Sequence, residues 1–127
     1  MLIFDTSAVI EWLKGNQALL EVSEEIGISN ITIYELLWTS SKRKESVKKA
    51  VEQFVNRTLT LDITPKIARE AALIKMKLLA NGRDKPMADI LIAATAKVNG
   101  TQLYTFDNDF EEIKEVTELE LRIFEMN

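Results

Sequence analysis

Short apolar runs alternate with longer helical patterns along this chain, and that alternation restricts its fold more than any other feature. Leu2–Phe4 is an apolar run that ends at Asp5. Ile28–Ser29, the period-two stretch 58–63, Gln102–Phe106 and Glu120–Phe124 read as further strands. Helical patterns fill the intervals: Ser7–Lys14, Gln17–Glu25, Thr32–Ser41, Lys44–Asn56, Pro65–Ala80, 87–98 and Asp109–Val116. Thr64-Pro65 marks a helix start, and Asn81-Gly82 and Asn99-Gly100 mark helix ends. Strands that alternate with helices imply βαβ units and a parallel sheet covered on both faces. The expected architecture is a three-layer α/β/α sandwich of about five strands. No linker or repeat interrupts the 127 residues, so one domain spanning 1–127 is expected. In such sheets ligands bind outside the carboxyl ends of the strands, at a topological switch point.

Composition then narrows the chemistry. The chain has no Cys and no His. Disulfides, thiolate or imidazole zinc sites, and Cys–His or Ser–His–Asp mechanisms are excluded. A side-chain metal site would need oxygen ligands, which favours Mg²⁺, Mn²⁺ or Ca²⁺. The net charge of −4 argues against a simple basic DNA-binding module. It does not argue against a nucleic-acid enzyme whose positive charge comes from metal ions. No apolar run approaches the ~18 residues of a membrane span, and the start lacks the basic region of a signal peptide. A soluble protein of the cytoplasm is the expectation.

Of 20 acidic residues, four lie in apolar surroundings. Asp5 follows Leu-Ile-Phe; Glu35 lies within Ile-Thr-Ile-Tyr-Glu-Leu-Leu-Trp; Asp89 opens the most apolar helix; Asp107 ends the Leu-Tyr-Thr-Phe strand. The other sixteen read as solvated or peripheral. An unpaired buried carboxylate is costly and must find a cation, donors or a proton. On the expected fold, Asp5 and Asp107 end strands, while Glu35 and Asp89 lie early in helices that enter from the same rim. Four carboxylates there would repel one another, and a divalent cation is the natural remedy. Mg²⁺ or Mn²⁺ suits an all-carboxylate site, and such ions assist phosphodiester cleavage.

Each acid alone also has an ordinary reading. Asp5 and Asp107 can cap the helices that follow them, with Asn108 and Asp109 as rival caps for the second. Asp89 suits the first turn of a helix, and Glu35 suits a rim ion pair. The weight of the metal reading lies in all four falling at one rim.

The motifs around these acids resemble those of the PIN-domain nucleases, in particular the small toxins of VapBC toxin–antitoxin systems. Asp5-Thr6-Ser7 after Leu-Ile-Phe is similar to the family's first motif. Ile28-Ser-Asn-Ile-Thr-Ile-Tyr-Glu35 is similar to the second, and Asp89-Ile-Leu-Ile-Ala-Ala-Thr-Ala to the third. Thr105-Phe-Asp-Asn-Asp-Phe110 is similar to the fourth. The four occur in order and span essentially the whole chain.

The resemblance implies a parallel sheet in strand order 3-2-1-4-5 and an Mg²⁺- or Mn²⁺-dependent ribonuclease acting on RNA. It implies a homodimer and a small VapB-like antitoxin as partner. Asp5 and Asp89 are the main metal-ligand candidates, with Asp107 and Glu35 completing the pocket; Asp109 is a candidate to support a ligand or to hold a second metal, or else an ordinary cap or surface acid. Thr6, Ser7 and Thr105 are candidates to orient carboxylates, or serve as turn and cap hydroxyls. Arg83 and Lys85 are candidate RNA-phosphate contacts. The denser cluster Lys42, Arg43, Lys44, Lys48 and Lys49 reads as a solvated helix face. Trp12, Tyr34 and Trp38 read as core or partner-groove residues. Two other readings remain: a receiver-like domain with an acceptor Asp, and a non-catalytic PIN-like scaffold that binds RNA or a protein. The first lacks a second acid beside Asp5, because Thr6 follows it.

Overall fold

A computed structural model describes residues 1–20 and 22–125. Five parallel strands form one sheet: β1 (Leu2–Phe4), β2 (Ile26–Ser29), β3 (Leu59–Leu61), β4 (Gln102–Thr105) and β5 (Leu121–Ile123). Their spatial order is β3-β2-β1-β4-β5. The helices are α1 (Thr6–Leu13), α2 (Gln17–Leu20), α3 (Asn30–Ser40), α4 (Glu45–Arg57), α5 (Pro65–Ala80), α6 (Met87–Asn99) and α7 (Phe110–Val116). The expected sandwich and strand order are both observed. The order reverses between β1 and β4, which puts the switch point beside Asp5.

The period of two in a strand splits the core into two halves. Ile3 and Leu103 face one side, where they meet Ile74 and Leu78 of α5, Ile92 of α6 and Ile113 of α7. Phe4 and Ile28 face the other, where they meet Val9 of α1, Leu36 of α3 and Val51 and Phe54 of α4. Every residue of β1 is buried, as a central parallel strand requires. Thr64 caps α5 by accepting the Ile67 N–H, with Pro65 at the first position. Gly100 ends α6 at φ +62°, a left-handed conformation in which a side chain is strained. No helix among the described residues is long and apolar enough to cross a membrane.

Three expectations differ from the structure. The helix expected over Gln17–Glu25 stops at Leu20, with Glu21 outside the described residues. Strand β2 starts at Ile26, and the Glu25 carbonyl already accepts the Leu2 N–H. Sheet pairing thus claims backbone that local pattern assigns to the helix. In β3, Leu59 is exposed, because an edge strand meets only one neighbour and little covers its end. Tyr34 and Trp38 are each 62% exposed, so neither belongs to the core. Trp12 is half-buried and packs against the core, edge-on to Phe4 and Phe54.

Candidate active site at the carboxyl rim

Asp5 leaves the end of β1 and is 3% exposed. Its Oδ1 accepts the Ala8 N–H at 2.8 Å, which caps α1. Two hydroxyls then converge on it. Ser7 Oγ accepts the Phe106 N–H at 2.9 Å and donates to Asp5 Oδ1 at 2.7 Å. Thr105 Oγ1 accepts the Asp107 N–H at 2.9 Å and donates to Asp5 Oδ2 at 2.6 Å. Each hydroxyl has a single proton, and each spends it on Asp5. Two backbone amides just beyond β4 are thereby relayed onto a carboxylate at the end of β1. Ser7 Oγ also stands 2.9 Å from Oδ2, so its one proton is shared between the two carboxylate oxygens. The capping and pocket readings of Asp5 are compatible: Oδ1 alone takes the helix N–H, while Oδ2 takes hydroxyls of the rim.

The remaining acids arrive from three elements. Glu35, on α3, accepts from Thr6 Oγ1 at 2.6 Å, which fixes the carboxylate against the start of α1. Among the described residues the Asp107 carboxylate, past β4, accepts only the Asp109 N–H, at 2.9 Å. Asp89 lies in the first turn of α6, half-buried, and among the described residues accepts no hydrogen bond and pairs with no cation. Its carboxyl is pushed up to about 6, by burial first and then by the charges of Asp107, Asp5, Glu35 and Asp109. Asp5 is also raised to about 6, by burial, against the lowering effect of its donors. Asp89 thus feels all four other acids at once. Carboxylates sharing a rim disfavour one another's ionisation, and a hard cation would relieve that. The donor chemistry fits a divalent ion. No three acids among the described residues stand close enough to ligate one without moving, as mutual repulsion would dictate.

The candidate phosphate contacts are engaged elsewhere. Arg83 pairs with Glu115 and stands 3.8 Å from Glu112, while Lys85 pairs with Glu112 and stands 3.5 Å from Asp109. These partners belong to α7 or its start, 24 or more residues along the chain, and no local signal announces them. Glu11 is an embedded acid that sequence reasoning counts among the solvated ones: it is 8% exposed, with Lys14 at 3.6 Å. Of the basic cluster, Lys42, Arg43, Lys44 and Lys49 are exposed, as a solvated face should be, while Lys48 is half-buried and pairs with Glu45 at 3.3 Å.

Fold and rim together define the class: a five-stranded parallel α/β/α domain with acids gathered at its switch point. The chain belongs to the PIN domain family, whose model matches residues 2–116. It is similar to Ribonuclease VapC19 from Mycobacterium tuberculosis, with 30% identity over 112 residues, covering 83% of this chain and 87% of that one. Among solved structures it resembles VapBC2 from Rickettsia felis bound to a promoter DNA fragment, at a TM-score of 0.81 and 23% identity, with 98% of each chain covered. It also resembles DNA-bound VapBC from Salmonella typhimurium, at a TM-score of 0.82 and 24% identity, covering 97% and 98% of the two chains.

Proposed function

We propose that this chain is a divalent-metal-dependent endoribonuclease and the toxin of a toxin–antitoxin pair, acting on RNA in the cytoplasm. The observation that carries the reading is the single rim on which Asp5, Glu35, Asp89 and Asp107 meet, with Asp89 raised by the others. Similarity to a VapC ribonuclease supports the same substrate class. Family membership disfavours the receiver-like reading, and the undiminished set of acids disfavours a non-catalytic scaffold.

Asp5 and Asp89 would hold Mg²⁺ or Mn²⁺, with Glu35 and Asp107 contributing directly or through water. The ion would neutralise phosphodiester charge and make water a better nucleophile. Ser7 and Thr105 hold Asp5 in one orientation, and Thr6 does the same for Glu35. With no His present, a pocket carboxylate or bulk water takes the proton. Of the two loop cations, Arg83 has the more exposed side chain, 39% against 11% for Lys85, and is better able to meet an RNA phosphate. An antitoxin partner and a homodimer would both cover apolar surface, and Ile10, Leu37, Tyr34 and Trp38 supply it on one side while Leu73, Met76 and Met87 supply it on the other.

The test is cleavage of a labelled RNA by purified protein with Mn²⁺ and with chelator. Wild type should cut only with metal. Asp89→Asn should lose at least about 100-fold in rate while keeping its circular dichroism spectrum. Equal cleavage by both proteins would sink the reading.

A further inference from the structure

Lys85 lies in the loop between α5 and α6, one residue before Pro86 and four before Asp89. Its charged side chain is only 11% exposed. Glu112 of α7 pairs with the ammonium on one side, and Asp109 Oδ1 stands 3.5 Å away on the other. Asp109 is itself tied to the pocket, since its N–H donates to Asp107 Oδ1 at 2.9 Å. Arg83 braces the far end of the chain of charges through Glu112 and Glu115. Among the described residues, Lys85 is the one cation in ion-pair range of any of the five rim acids Asp5, Glu35, Asp89, Asp107 and Asp109.

Phosphodiester hydrolases of the two-metal kind set their ions about 3.5–4 Å apart, each needing its own carboxylates. Here the natural ligands for a second ion are Asp107 and Asp109, which lie on the Lys85 side of the rim. A divalent ion about 4 Å from a fixed ammonium would bind roughly thirtyfold more weakly, even with the screening of bulk water. We infer that Lys85 is a built-in counter-cation: it holds Asp109 out of metal coordination and restricts the pocket to one divalent ion. This makes Lys85 a positioning residue, and the inference rests on the metal-site reading above.

The experiment counts bound Mn²⁺ per chain by titration, following the electron paramagnetic resonance signal of the free ion. Wild type should bind one ion. Lys85→Met should bind a second, and Lys85→Arg should return to one. Arg83→Met, which loosens the brace but keeps the ammonium, should also bind one; this separates charge from mechanical support. Asp109→Asn is an exposed change with little bearing on folding. It should leave the wild-type count at one with an affinity loss well under tenfold, from the one rim charge it removes, and should remove the second ion from the Lys85→Met protein. Two ions in wild type, one ion in Lys85→Met with unchanged affinity, or a tenfold affinity loss in Asp109→Asn alone would each overturn the inference. Binding of no ion by wild type would overturn the metal-site reading itself, a separate result.

Discussion

Replacing Asp5 by Asn separates two effects that the rim combines, charge burial and hydrogen bonding. In the folded protein the Asp5 carboxyl is raised from 3.8 to about 6. Between those values the folded state holds more protons than the unfolded state, so metal-free stability falls as pH rises through about 4 to 6. The full loss is about 3 kcal/mol, from roughly two pKa units at 1.36 kcal/mol each. Asn carries no charge and has no such loss. Its amide nitrogen would instead face Thr105 Oγ1, which already accepts the Asp107 N–H. The Thr105 proton is then left without its acceptor, a pH-independent cost of about 1–3 kcal/mol. Asp5→Asn should therefore be less stable than wild type near pH 4. It should gain on wild type by about 3 kcal/mol by pH 7, or about 10 °C in Tm for a chain of this size. Lower repulsion at Asp89 acts in the same direction, because the Asp5 charge is one cause of its raised value. The assay is urea unfolding of both proteins in chelator across that pH range. A stability difference that stays flat with pH would show that burial of the Asp5 charge does not govern the change. Mn²⁺ at about 100 times its dissociation constant should restore roughly 2.7 kcal/mol to wild type at pH 7 and little to the variant.

Two further outcomes follow from the geometry. Thr105→Val removes the donor to Asp5 Oδ2 and the acceptor of the Asp107 N–H together, so cleavage should fall about 10- to 100-fold and stability by about 1–3 kcal/mol; single-turnover kinetics and urea unfolding read the two. Gly100→Ala meets no atom within 4 Å of its new Cβ, so its effect is the left-handed backbone alone, a loss of about 1 kcal/mol with cleavage unchanged; a loss well above that would mean that packing, not φ, governs the end of α6.

Much was legible from the residues in order. Element sequence, sheet class and the burial of β1 follow from hydrophobic period, which is a local property of the chain. The four acids stand out for a similar reason: a carboxylate among apolar neighbours is costly wherever the chain goes. Strand order came from motif resemblance, not from periodicity. The early end of α2 and the exposure of Leu59 were not legible, because pairing and cover decide them.

Tertiary structure alone decided how the acids are held. Ser7 and Thr105 lie 98 residues apart, yet both donate to Asp5 because β1 and β4 are paired neighbours. Thr6 reaches Glu35 across 29 residues because α1 and α3 start from adjacent strands. Lys85 reads as a free cation in the sequence but in the fold it lies against Asp109 and against Glu112 of α7. For the four rim acids, though not for Glu11, the cost of the side chain is written in the order of residues. Which donors and cations offset that cost depends on distances that exist only once the sheet has formed, because hydrogen bonds and ion pairs act over a few ångströms.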